Sequence, residues 1–218
     1  MSVRDAPHNA MKMAESPIMT CSIQYTVMLT CHPETYSQAV HGIEARVCWI
    51  EGGMLALTYT LEGDIKRLRI PPARLTRQAD YLWQHTCFEA FVSANGKSEY
   101  YELNFSPSGE WAAYHFRSYR DGAPRQNEEL APNITLRSAG DRLDLNAMIH
   151  LHRLPGLPQK LYLRLGLAAV IEEENGRLSY WALKHPPGRP DFHYSDGFAL
   201  EIEAPEVEMI DEVRLEKR

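Results

Sequence analysis

Between Thr86 and Arg117, apolar and polar residues alternate in three short runs, Thr86–Val92, Glu99–Phe105 and Trp111–Arg117. Ser93-Ala94-Asn95-Gly96 and Ser106-Pro107-Ser108-Gly109 separate them. Short runs rich in aromatic and β-branched residues with such punctuation predict antiparallel hairpins. Side chains of a strand alternate between faces, so Cys87, Glu89 and Phe91 share one face and Thr86, Phe88, Ala90 and Val92 the other. In the second run Tyr100, Glu102 and Asn104 stand together, opposite the apolar stripe Tyr101, Leu103 and Phe105. In the third, Ala112, Tyr114 and Phe116 oppose Trp111, Ala113, His115 and Arg117. One face of the meander therefore reads as core, and the other as polar with large rings set into it.

The same periodicity recurs along the chain. Strands are predicted at Ile18–Thr30, at Gly42–Ile50 and Met54–Leu61 around a Gly-containing connector, and at Ile65–Ile70, where Pro71-Pro72 ends the run. Ala73–Trp83 has room for one helical turn, and Asp121–Pro132 reads as a loop. Further strands are expected at Ile134–Ser138, Leu143–Ile149, Leu161–Ile171, Leu178–Leu183 and Phe198–Ile202, with a proline-rich shaped loop over Lys184–His193. About eleven strands with little helical periodicity define an all-β fold, an antiparallel β-sandwich of jelly-roll or immunoglobulin-like type. Residues 1–17 are expected to form a disordered tail and 18–203 the sandwich domain. Residues 204–218 form a charged tail in which Val207, Ile210, Val213 and Leu215 are spaced as on a short helix.

Composition narrows the function. The 218 residues carry a formal net charge of -6 and no basic run, so the electrostatic footprint of a nucleic-acid partner is missing. The N-terminus lacks the apolar stretch of a secretory signal, and no run of about 18 apolar residues marks a membrane span. A cytoplasmic protein is the expectation. Cys21, Cys31, Cys48 and Cys87 lack C-x-x-C spacing and are expected as separate reduced thiols. The i,i+2 pairs His150/His152 and Asp191/His193 supply too few ligands for zinc or iron, so no metal centre is expected. Loop carboxylates at Asp121 and Glu172–Glu174 suit either solubility or a structural calcium.

The phrases TCFEAFV (86–92), YYELNFSPSGEWAAYHF (100–116), AVIEEENGRLSYWALKHP (169–186) and PDFH (190–193) together resemble the DOMON-like domains related to family 9 carbohydrate-binding modules, over roughly Cys21 to Glu203. The resemblance implies a sandwich with a ligand site at one sheet. In the sugar-binding relatives a tryptophan is followed six positions later by a glutamate, which implies Trp83 and Glu89 here. A second tryptophan late in the fold closes the slot, which implies Trp181. Some DOMON relatives bind haem through Met and His; Met54, Met148 and His115 fall near strands, but no spacing pairs them, and no cofactor is expected.

A sugar ring offers a face of C–H groups and a rim of hydroxyls, so its site combines aromatic plates with paired hydrogen-bonding groups. The candidate plates are Trp83, Trp111 and Trp181, and the candidate rim residues are Glu89, Glu102, Asn104 and Arg120. Each has a plainer role available: packed tryptophans, a wet sheet face at Glu102 and Asn104, and for Glu89 an ion pair with Arg69 or Arg117. The sequence thus points to a non-catalytic module binding a small carbohydrate-like or polyhydroxylated ligand. The alternatives are a glycoside hydrolase with Glu89 and Glu102 as acid and base, a sandwich face used for a protein partner or homodimer, and a haem-binding domain.

Overall fold

The computed structural model describes residues 21–50, 53–125, 127–157 and 162–203. Its strands are β1 (Cys21–Cys31), β2 (Val40–Ile50), β3 (Met54–Gly63), β4 (Cys87–Ala94), β5 (Tyr100–Phe105), β6 (Trp111–Ser118), β7 (Asp121–Pro124), β8 (Asn133–Ala139), β9 (Arg142–His150), β10 (Tyr162–Glu172), β11 (Leu178–Ala182) and β12 (Leu200–Glu203). All strand pairs are antiparallel. The first sheet runs β1-β2-β3-β9-β8, and the second runs β7-β6-β5-β4-β10-β11, with β12 on β10. β1 bridges the two. Its body pairs with β2, whereas Thr30 and Cys31 at its end pair with Ala182 and Trp181 of β11.

Alternation explains the packing. Ile43, Val47, Leu55, Leu57, Tyr59, Leu61, Leu143 and Leu145 of the first sheet face Phe88, Ala90, Val92, Tyr101, Leu103, Phe105, Leu165 and Leu167 of the second in one buried cluster. Each large aliphatic or aromatic side chain removed from water there contributes on the order of 1.5–3 kcal/mol. A second, smaller cluster lies on the outer face of the second sheet, around Cys87, Phe91, Tyr100, Tyr114, Phe116 and Phe198. The loops before β4 and after β11 cover that face. Phe198 stacks on Phe91 with ring centroids 5.5 Å apart, and it passes over Gly166 so closely that a Cβ there would lie 2.7 Å from the ring. A side chain at 166 would force the Phe198 ring to shift.

Several expectations need correction. Residues 121–124, read as loop, form β7 against β6. Residues 65–70, read as a strand, form a 3-10 turn over Ile65–Arg67, and only Leu68 makes an isolated bridge, to Glu173. The apolar spacing of Ile65 and Leu68 is three, which suits a turn rather than a pleat. Cys21 and Cys48 are joined in a disulfide across β1 and β2, with Cα atoms 5.8 Å apart; Cys31 and Cys87 are free. The register shift between Cys21 and Ile23 brings the first pair together, a tertiary event that no local spacing announces. The expected tails 1–17 and 204–218 lie outside the described residues. No helix among the described residues is long and apolar enough to cross a membrane.

Candidate binding site

The strand registers set out the outer face of the second sheet row by row. Across β6, β5, β4 and β10, Tyr114 pairs with Glu102, Glu102 with Phe91, and Phe91 with Gly166. In the next row Ala112, Asn104, Glu89, Ala168 and Ala182 stand side by side. Glu89 is thus flanked on its β10 side by two alanines, which leave space above the sheet, while Glu102 lies diagonally across from it. The following row places Cys87, Val170 and Tyr180 together.

Two loops complete the walls. Before β4, Tyr81 adopts a left-handed conformation (φ 62°) and caps the 3-10 turn Leu82–Gln84. This turn buries Leu82 and presents Trp83, which meets Tyr114 edge-on at 5.7 Å and Tyr81 at 5.5 Å. After β11, the proline-rich segment is tied down through Asp191, which accepts hydrogen bonds from Arg120 (2.7 Å), Tyr119 (2.5 Å) and the His193 amide (3.0 Å). Burial works against the charge of Asp191, but the Tyr119 and Arg120 hydrogen bonds overcome it and hold its carboxyl below the usual range. Between the loops and the sheet lies a cavity of about 370 Å³, within the range of small-molecule sites. Glu89 and Glu102 lie in its floor, with Val170; rings of Trp83, Tyr114, Phe116, Tyr180 and Phe192 form walls, and Arg120, Pro190, Asp191 and His193 the remainder.

A buried polar chain runs behind the floor. The Tyr100 hydroxyl accepts from the Arg120 amide (3.1 Å) and lies 2.9 Å from His193 Nδ1. The hydroxyl keeps its own proton to donate to Nδ1, an arrangement that places the proton of the neutral ring on Nε2, 3.6 Å from Glu102 Oε2. Burial, with the Arg120 charge adding to it, keeps His193 neutral by lowering its pKa to about 4. The other oxygen of Glu102 accepts from the Asn104 amide at 2.9 Å. Burial raises Glu102 to about 7 in spite of that bond and of Arg120. Glu89 is pushed well above its ordinary value, first by complete burial and then by the nearby Glu102 charge. Its Oε1 has no hydrogen-bond partner among the described residues. A buried carboxyl oxygen without a partner is costly, and the cavity beside it is where a partner would come from.

Of the residues singled out from sequence, Trp83, Glu89, Glu102 and Arg120 line this one cavity. Asn104 does not; it is fully buried behind Glu102 and acts through it. Trp111 and Trp181 are corrections. They are 2% and 6% exposed and point into the core between the sheets, Trp181 donating from Nε1 to Ser179 Oγ at 3.0 Å. The alternation that turns Trp181 inward turns its neighbour Tyr180 outward, so a tyrosine stands where a second tryptophan was expected. Tyr114, Phe116, Phe192 and His193 were not foreseen as lining residues, although the Tyr114 and Phe116 face was legible as rings on the wet side. The ion pair weighed as the plainer role of Glu89 is absent among the described residues: Arg69 pairs with Glu172 at 2.5 Å and Arg117 with Asp121 at 2.9 Å.

The other chemistries considered find no assembled site among the described residues. Met54 and Met148 lie on the outer face of the first sheet, whereas His115, stacked on Tyr101 at 4.5 Å, belongs to the second, so the three do not converge. Glu172 and Glu173, considered for calcium, are engaged by Arg69, His85, Ser37 and Arg67. No group of three or more His, Cys, Asp or Glu among the described residues is placed to hold a metal ion.

No protein-family model and no curated protein sequence matches the chain. Solved structures do. A candidate carbohydrate-binding protein from Bacteroides uniformis ATCC 8492 superposes with a TM-score of 0.58 at 14% identity, over 78% of this chain and 81% of that one. A family 9 carbohydrate-binding module from Caldicellulosiruptor kristjanssonii superposes with a TM-score of 0.47 both in its cellotriose complex (11% identity, 80% of this chain and 83% of that one) and in its glucose complex (12% identity, 87% and 91%). The first likeness shows a shared β-sandwich fold.

Proposed function

We propose that the protein is a non-catalytic binding module for a small carbohydrate-like, polyhydroxylated ligand, taken up in the cavity above β4, β5 and β10. The observation that carries this reading is the buried Glu89 carboxyl, unpartnered at Oε1, in the floor of a cavity walled by Trp83 and Tyr114. A buried carboxyl suits a ligand hydroxyl, and aromatic rings suit the C–H face of a sugar. Glu102, steadied by Asn104 and facing His193, offers a second polar contact. The Bacteroides protein of the same fold is described as carbohydrate-binding, which supports the reading by analogy of fold alone. Calorimetric titration against a panel of mono- and disaccharides tests it: at least one saccharide binds, and Trp83→Ala and Glu89→Gln each weaken that binding at least tenfold. Absence of binding across the panel overturns the proposal.

One observation favours glycoside hydrolysis as a second reading. Two carboxyls face one cavity, Glu89 held protonated and Glu102 balanced near neutrality, a division of labour that acid and base catalysts share. Assay of reducing-end release from the saccharides that bind distinguishes the two; the binding module leaves them intact.

A further inference from the structure

The charges around the cavity do not balance, and the imbalance names a ligand class. Of the groups facing the Glu89 and Glu102 carboxyls, Arg120 is the single arginine or lysine among the described residues that lines the cavity, and Asp191 already holds it at 2.7 Å. His193 is neutral in the hydrogen-bonded arrangement described above. Cys87 on the strand of Glu89, Asn104 and Tyr100 on β5, Tyr114 on β6 and Tyr180 on β11 bring no positive charge. Tyr59, from the opposite sheet, donates to the Glu89 main-chain carbonyl at 2.7 Å and leaves the carboxyl untouched. The aromatic walls of Trp83, Tyr114 and Phe116 bring no positive charge either.

Resting on the binding reading above, we propose that the ligand this cavity selects carries a protonated amine beside its hydroxyls, as an amino sugar does. The ammonium supplies the counter-charge that Glu89 and Glu102 lack, in a cavity whose walls are aromatic. A neutral sugar can hydrogen-bond to the carboxyls but cannot bring a full counter-charge to their ionised forms. An ammonium can, so its arrival expels a proton from the carboxyl pair. The raised pKa of Glu102, about 7, places that proton within the neutral range.

The test is calorimetry on the full chain with glucosamine, galactosamine and mannosamine, each against its parent hexose and its N-acetyl derivative, at pH 7 in two buffers of different ionisation enthalpy. At least one hexosamine binds tenfold or more tighter than both neutral counterparts, with a buffer-dependent heat that reports proton release. Its affinity rises several-fold from pH 5.5 to 7. In Glu89→Gln the ratio of amine to hexose affinity collapses towards one, and Glu102→Gln provides the same readout if the first variant does not fold. Equal or tighter binding of a hexose or N-acetyl sugar overturns the amine inference and leaves the binding reading intact. No binding by any of the nine overturns both.

Discussion

Replacing Glu102 by glutamine should change how stability depends on pH. The wild-type carboxyl titrates at about 7 in the folded chain against an ordinary value of 4.5, because burial outweighs the Asn104 hydrogen bond and the Arg120 charge. The folded state therefore keeps a proton that the unfolded chain releases. The stabilising contribution of that proton is complete below about 4.5 and is lost as pH rises through 7. One pKa unit is worth about 1.4 kcal/mol, so the loss between pH 5 and pH 8 amounts to roughly 2–3 kcal/mol. Glutamine cannot ionise, and the difference in unfolding free energy, variant minus wild type, rises by that amount over the same interval. Any fixed cost of altered hydrogen bonds to Asn104 or His193 is common to all pH values and cancels. Urea unfolding at pH 5, 6, 7 and 8 reads this as a relative shift in midpoint of about 1 M. Parallel curves for the two proteins would refute the claim that Glu102 is held out of water beside Glu89.

Further perturbations probe the frame around the site. Trp181→Ala and Trp111→Ala remove core rings and should each cost about 3–5 kcal/mol in chemical unfolding. Trp83→Ala, at the cavity wall, should cost less than either while still weakening ligand binding at least tenfold. Denatured without reductant, the protein should titrate as two free thiols of its four cysteines, and Cys21→Ser should lower stability by about 2–4 kcal/mol; four free thiols would show the Cys21–Cys48 bond absent. Asp191→Ala releases Arg120, Tyr119 and the His193 amide together, so hydrogen exchange within residues 184–197 should accelerate at least tenfold while the core strands keep their protection.

Much of this architecture was legible from alternation alone, and where it was not the reason is physical. Period-2 patterning sorted Phe88, Ala90 and Val92 from Glu89 and Phe91, and Leu103 from Glu102 and Asn104, because one face of each strand packs against the other sheet. It could not say which of Tyr180 and Trp181 faces inward: both are large, their neighbours Ser179 and Ala182 are both small, and the answer lies in the pairing of Trp181 with Ala169. The family resemblance implied Trp83 and Glu89 together, and both reach the cavity because a short turn followed by a strand carries them. Phe192 and His193 escaped because a proline-rich loop has no period; its course is set by the Asp191 hydrogen bonds to Tyr119 and Arg120, contacts more than 70 positions away in the chain. The Cys21–Cys48 bond and β7 depend likewise on tertiary pairing rather than on local pattern.

The central claim is that a sugar-like ligand is held in the cavity floored by Glu89 and Glu102. Amide and indole NMR shifts measured during titration with the tightest-binding saccharide test this directly. The account predicts saturable changes at the Trp83 indole and at the backbone of Glu89, Glu102, Tyr114 and residues 190–193, with β2, β3 and β9 unmoved. Changes confined to the first sheet, or no change with any saccharide, would contradict it.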